Sequence, residues 1–378
     1  TSIYLNIDME KIYIGYDQHN KFTMEDNLSR CFGNTDYFIS TDVSMIEGKY
    51  IYHLILTAML DAEYVFDISD KVVQDIQNDK CFLLFDYTFE SRNNSIQHEY
   101  DMYKSIIDNT LSKYNLQKPY IYVDSNPYNS HDLDLYFNRF IVEVGRACLH
   151  PVAENSDVMV FEAKQSFAER EYKIASFNRR PDENRANFVN AFKDNPDVLC
   201  TLGKPDSQDM DYYYERFPNL VPMLPMEYDL SLDLDVPNLV SIMGWELQQV
   251  SYIQVVNESL FHYDSHHMFI NEKTLKPIAC LQPFIINGMP GSLAHLHELG
   301  FKTFSEWWDE SYDTETDQIK RSDMIIDIVS DLAKLDHKDY IDMLGGMHQT
   351  LIHNRDLLVS LPRRHSIDLY NQIINTGY

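Results

Sequence analysis

The chain has 378 residues, room for about two domains at ~150 residues each, and its 44% hydrophobic content supports packed cores, which excludes a disordered chain. Asp and Glu number 59 against 31 Lys and Arg, giving a net charge of −28, so the surface repels nucleic acid and anionic membrane at long range. No run of ~18 uncharged apolar residues occurs, and Thr1-Ser-Ile-Tyr-Leu-Asn-Ile-Asp8 lacks the basic and apolar parts of a signal peptide, so a soluble, cytoplasmic protein without membrane contact is expected.

Residues 1 to 165 read as one α/β domain. Short apolar runs at Ile12–Tyr16, Tyr37–Ser40, Cys81–Asp86, Tyr120–Asp124 and Val158–Phe161 predict strands. Between them Glu99–Lys113 places Tyr103, Ile106, Ile107, Thr110 and Leu111 at helical spacing. Strands alternating with helices of ten or more residues point to a parallel sheet with crossover helices. The five cysteines (Cys31, Cys81, Cys148, Cys200 and Cys280) are never spaced Cys-x-x-Cys, and most sit beside apolar residues. They read as reduced core thiols in a reducing interior, not as a zinc site or disulfide framework.

A charged patch at 162 to 172 marks the domain boundary, and the pattern restarts over residues 166 to 378. Tyr172–Phe177 predicts a strand and Asn178–Asn184 a turn. Arg185–Lys193 predicts a helix with Pro181 and Asp182 at its start. Arg179, Arg180 and Arg185 on one strand-to-helix turn suggest an anion site in so acidic a chain. Residues 203 to 240, rich in Asp, Pro and Tyr, read as a long loop; its Asp233-Leu-Asp235 is most simply a solvated acidic stretch.

The stretch 252 to 304 organises this half. An apolar run from Tyr252 ends at Asn257-Glu258, a helix opens on Asn271-Glu272-Lys273, a second run ends at Gly288, and Pro290-Gly-Ser opens another helix. Polar groups gather where strands end, which is where open α/β sheets bind ligands. Asn271 is a good N-cap, and a helix starting there directs free N–H groups and its positive dipole end forward, with Lys273 adding a full charge. Beyond Phe304, helices are expected over Thr316–Leu335 and Lys338–Leu358, with a last one after Pro362.

Phe269-Ile-Asn-Glu272-Lys273 resembles the Tyr-x-Thr-Glu-Lys donor signature of the α-1,3-fucosyltransferase family, Asn257-Glu258-Ser259 resembles its Glu-Asn-Ser, and Asn178…Arg185 with Phe188 resembles its Ser-Asn-x…Arg-x-x-Phe segment. Residues 272 to 321 are similar to fucosyltransferase-like proteins of phages and marine bacteria, in which case the compartment is the bacterial host's cytoplasm. The resemblance covers roughly residues 172 to 325. It implies a GT-B fold with two Rossmann-like domains facing across a cleft, a nucleotide-diphosphate sugar held by the C-terminal half, inversion at the anomeric carbon, and no essential metal or other cofactor. Phe269 stands where the family has tyrosine and Asn271 where it has threonine, so the sugar and base are not carried over.

On that reading Arg185 and Lys273 stabilise the departing diphosphate with Arg179 or Arg180 in support, and Glu272 accepts hydrogen bonds from sugar hydroxyls. The donor site then comprises Asn178, Arg179, Arg180, Arg185, Asn257, Glu258, Phe269, Asn271, Glu272 and Lys273, and the acceptor is a saccharide. A general base is needed from the first half, and Glu90 or Asp86, after the strand at Cys81–Phe85, are the candidates. His262, His266, His267, His295 and His297 match no metal-ligand spacing. Two other readings are a phage-type enzyme glycosylating a hydroxymethylated DNA base, which the net charge opposes, and a non-catalytic nucleotide- or carbohydrate-binding protein.

Overall fold

The computed structural model describes residues 11–20, 38–56, 60–87, 96–117, 120–124, 134–148, 170–228, 248–258, 261 and 268–376. Two compact units emerge, one formed by Thr1–Val142 with Leu361–Tyr378 and the other by Glu143–Ser360. The C-terminal stretch, expected with the second domain, therefore belongs to the first.

The first unit contains β1 (Ile12–Tyr16), β2 (Phe38–Asp42), β3 (Tyr50–Ile55), α1 (Asp70–Gln77), β4 (Cys81–Tyr87), α2 (Ile96–Lys113), β5 (Ile121–Asp124) and β6 (Asp134–Tyr136), followed by α3 (Arg139–Ala147). All six strands are parallel, in the order β2-β1-β3-β4-β5-β6. Side chains alternate between the faces: Tyr52, Leu83 and Phe85 join a cluster with Ile106 and Ile107 of α2, while Ile14, Ile51 and Leu84 join one with Leu369, Tyr370 and Ile373. Neither β3 nor β6 was expected from sequence; in β3 a histidine interrupts the apolar run.

The second unit contains β7 (Tyr172–Ser176), α4 (Glu183–Phe192), β8 (Val198–Cys200), α5 (Met210–Arg216), β9 (Ser251–Asn257), α6 (Glu272–Ala279), β10 (Phe284–Asn287), α7 (Ser292–Glu298), α8 (Gln318–Lys334), α9 (His337–Gly346) and α10 (His348–Asn375), the last continuing into the first unit. Its four strands are parallel in the order β10-β9-β7-β8. Every residue of β9 is buried, as befits an inner strand covered on both faces. Helix α8 packs against α4, β7 and β10 through a stripe that includes Ile325 and Val329.

The expected α/β class with parallel sheets is what forms. Three local expectations need correction. Residues 203 to 240 are not loop throughout, since α5 and a 3₁₀ turn at Val221–Met223 interrupt them. The helix expected over Lys338–Leu358 breaks at Met347, after Gly345-Gly346, where two weak helix formers meet. The following helix runs straight through Pro362, because Leu358 and Leu361 are buried on its packed face. The strand expected at Val158–Phe161 and the Asp233-Leu-Asp235 segment lie outside the described residues.

Candidate functional site

From β7 the chain moves to β8 on one side and later returns to β9 on the other. The carboxyl ends of β7 and β9 are therefore a topological switch point, where departing loops diverge and leave a crevice. The residues there are polar and bonded in series. Asn287 Nδ2 donates to Asn257 Oδ1 at 2.7 Å, and Asn257 Nδ2 donates to Ser176 Oγ at 2.7 Å. Asn178 Nδ2 donates to the same Ser176 Oγ at 3.2 Å, while its backbone N–H donates to Thr201 Oγ1 at 2.9 Å. Its carbonyl Oδ1 is buried without a donor. Ser176, Thr201 and Asn287 were not singled out from sequence, though each lies at or just past the end of a strand.

Arg185, in the first turn of α4, ties two of these strand ends together. Its Nη1 donates to Arg180 O at 3.0 Å, and its Nη2 donates to Asn257 O at 3.3 Å and Glu258 O at 3.1 Å. Asp182 caps α4 through Arg185 N at 2.9 Å and places Oδ2 3.1 Å from Arg185 Nε. Burial pushes the Asp182 carboxyl up, opposed by the Arg185 charge. The guanidinium is thus a buried clamp between the turn after β7 and the exit of β9. Arg179 and Arg180 are exposed.

Glu258 is the meeting point of the second set. Its Oε1 accepts from Thr274 Oγ1 at 2.7 Å and its Oε2 accepts from Asn271 Nδ2 at 2.5 Å. Asn271 in turn caps α6, its Oδ1 accepting from Lys273 N at 2.8 Å. Burial raises the Glu258 carboxyl, and the nearby Lys273 charge is the largest opposing influence. Lys273 Nζ lies 3.1 Å from Glu272 Oε1, with 35% of the lysine side chain exposed against 8% of the glutamate. Arg185 holds the backbone of Glu258 while the opening turn of α6 holds its side chain. The ammonium of Lys273 itself faces Glu272, and Asn271 and Thr274 of the same turn are the groups that bond Glu258.

Phe269 is buried, so it belongs to the packing behind this corner. An open hollow of 710 Å³ lies at the ends of β7 and β8, lined by Phe177, Asn178, Arg179, Thr201, Gly203 and Tyr228 among others. A volume of that order suits a nucleotide-sized ligand. Gly203 is needed there, since a Cβ would stand 2.2 Å from the carbonyl oxygen of Arg179.

The other expected features resolve differently. The start of α7 is filled by Asp313, whose carboxylate accepts from Leu293 N at 2.9 Å and Ala294 N at 3.1 Å, so that helix end is already satisfied. Asp86 is fully buried in β4 with Oδ2 2.8 Å from His53 Nε2. An acceptor hydroxyl does not reach it, which removes Asp86 as the base; Glu90 lies outside the described residues. His295 is buried with Nδ1 3.1 Å from Glu298 Oε2, and His297 Nε2 is 3.0 Å from Thr303 Oγ1. His262, His266 and His267 lie outside the described residues. Among the described residues no group of three His, Cys, Asp or Glu is placed to hold a metal, and no helix is long and apolar enough to cross a membrane.

No protein-family model matches the chain, and no curated protein matches it in sequence. Among solved structures it is similar to an α1,3-fucosyltransferase, with 12% identity and a TM-score of 0.41 over 89% of this chain and 83% of that one. It is also similar to the wall teichoic acid polymerase TagF, with 8% identity and a TM-score of 0.29 over 96% of this chain and 89% of that one. At those scores the likeness carries no chemistry, which must come from the residues themselves.

Proposed function

We propose that the protein is an inverting glycosyltransferase whose Glu143–Ser360 unit binds the diphosphate of a nucleotide-diphosphate sugar at the β7/β9 switch point, for transfer to a saccharide hydroxyl. The observation that carries this reading is the convergence of Arg185 and of the Lys273-bearing start of α6 on Glu258. A leaving diphosphate gains negative charge as the glycosidic bond breaks, and fixed cations with oriented N–H groups stabilise that charge without reorganising. Arg185 supplies a rigid floor, already oriented by three carbonyls. Lys273, with 35% of its side chain exposed and Nζ 3.1 Å from the neighbouring Glu272 carboxylate, is a cation able to exchange Glu272 for phosphate. Glu272 is then released to accept from sugar hydroxyls.

The adjoining hollow supports the nucleotide half of the ligand. Phe177 and Tyr228 offer aromatic faces, Arg179 a cation, and the unsatisfied Asn178 Oδ1 an acceptor for a base N–H. Inversion by direct displacement requires no metal in this scheme, and no metal is assigned.

Titration with GDP-, UDP- and dTDP-sugars tests the reading. At least one should bind, and Lys273→Ala should weaken it by roughly 10- to 100-fold, the worth of one charge-assisted hydrogen bond at ~1.5–3 kcal/mol. Arg185→Lys, which keeps charge but not the three-carbonyl clamp, should lower thermal stability as well as affinity. If no nucleotide sugar binds the wild-type protein, the proposal is wrong.

A further inference from the structure

The Glu143–Ser360 unit has another hollow, away from the β7/β9 switch point. Helix α8 starts beside α4, where Gln318 Nε2 donates to Asn184 Oδ1 at 2.7 Å. It ends beside the start of β7, where Lys173 Nζ donates to Ala333 O at 2.7 Å and Leu335 O at 2.9 Å. The helix therefore runs from the carboxyl ends of the strands toward their amino ends. The hollow, of 420 Å³, follows its later part and is of a size that suits a small molecule. Met324, Asp327, Ile328, Asp331 and Leu332, spaced three and four residues apart, form one stripe of its lining. Trp307, Trp308 and Asp309 supply more of it, with Met343 of α9.

The aromatic part is set in place by the fold. Phe304 meets Phe284, the first residue of β10, edge-on with ring centroids 5.1 Å apart, and Trp308 and Trp307 lie 5.1 and 6.1 Å from Phe304. Gly346 leaves room for Trp307, since a Cβ there would stand 3.2 Å from its Nε1. Trp308 is only 7% exposed, yet its Nε1–H finds no acceptor among the described residues. Asp309 accepts from Ser311 N at 2.9 Å and from Ser311 Oγ at 2.8 Å, one bond to each oxygen, and each oxygen can accept another. Asp331 Oδ1 lies 3.0 Å from Lys334 Nζ, and Asp327 is exposed. These carboxylates do not gather into a metal site. An indole nitrogen only donates and a carboxylate only accepts, so the occupant must bring both donors and acceptors. A cation satisfies the carboxylates but leaves the Trp308 N–H unpaired. A saccharide answers every group: its C–H face lies on an indole, its hydroxyls donate to the aspartates, and one of its oxygens accepts from the indole N–H.

We propose that this hollow is a non-catalytic binding site for a short neutral saccharide, held by Trp307, Trp308 and Asp327. The site goes beyond the donor reading and does not depend on it, because every residue that forms it lies in the later part of α8, in α9 or in the segment around Trp307. If the protein is a transferase, the site keeps a glycan chain at the protein surface and raises its effective concentration without entering the reaction.

The test titrates the full chain with methyl glycosides, disaccharides and tetrasaccharides of glucose, galactose, mannose, rhamnose and N-acetylglucosamine, followed by indole fluorescence and saturation-transfer NMR. Two of the three tryptophans line the hollow, so a bound sugar should change the emission. At least one saccharide should bind below ~10 mM. Trp307→Ala and Asp327→Ala should each weaken it about tenfold, through loss of a stacking face or of a charge-assisted hydrogen bond. Asp327→Asn keeps an acceptor and should weaken it by less than about threefold. Affinity for GDP-, UDP- and dTDP-sugars should stay within about twofold of wild type in all three variants, as expected of separate sites. Asp327 is exposed, so its variants decide the matter even if Trp307→Ala does not fold. The proposal is overturned if no saccharide of the panel binds, or if binding ignores both Asp327→Ala and Trp307→Ala. It is also overturned if tetramethylammonium or spermine binds instead and Asp327→Asn abolishes that binding, which would make the hollow a cation site. A saccharide displaced by nucleotide sugar belongs to the donor site and overturns it too, whereas a wild-type protein that binds saccharide but no nucleotide sugar sinks the donor reading alone.

Discussion

Glu258 shows what a single buried carboxyl costs and does. It accepts from Asn271 and Thr274, and burial raises its carboxyl above the ordinary value. A group held protonated more tightly when folded favours the folded state most below its unfolded value, and that benefit is lost as pH rises through the raised one. Glu258→Gln keeps an acceptor for Asn271, and Thr274 can reverse its hydroxyl to accept from the new amide. Its stability should lie within about 1 kcal/mol of wild type, with this pH dependence removed, whereas Glu258→Ala should cost about 2 to 4 kcal/mol by leaving two orphaned donors and a cavity. Denaturation of both variants at several pH values decides this, and a Gln variant as unstable as Ala would refute it. Gly203→Ala should also destabilise, because its methyl meets the Arg179 carbonyl. Sequence identified Asn257, Glu258, Asn271 and Lys273 because cap chemistry and strand ends are local. It did not show that Arg185 would be engaged by three carbonyls, because the Asn257 and Glu258 carbonyls come within reach only when β9 lies beside β7.

At the level of elements, local chemistry marked most boundaries. Asp182 caps α4 and Asn271 caps α6 as their residue types imply. The stretch from Lys338 onward misled, because packing of Leu358 and Leu361 outweighs the tendency of Pro362 to end a helix. The same helix carries His365, which burial pushes down to about 4. The unfolded chain binds a proton at a higher pH than the fold does, so the stability this buried neutral ring permits is full above the ordinary histidine value and is lost as pH falls through the folded one. Between about pH 6.5 and 4 the loss should be on the order of 3 kcal/mol, and His365→Gln should flatten that limb. Urea denaturation across that range checks it; an unchanged slope in the variant would exclude the imidazole as its source.

For the whole molecule, length pointed to two units with separate cores, the alternation of strand and helix patterns to the α/β class, and the charge against a general nucleic-acid surface. The strong negative charge sets up self-repulsion that salt screens. The midpoint of thermal unfolding should therefore rise by a few degrees between ~0.02 and ~0.3 M NaCl, and a fall would mean that attractive pairs dominate instead. What composition did not show is that α10 begins in one unit and ends in the other, placing Leu369, Tyr370 and Ile373 under the strands that begin at Ile12. On a ribosome this inverts the usual order of events. The earlier-made sheet waits for helical turns made after the second unit to cover it, while that second unit has every residue in hand sooner.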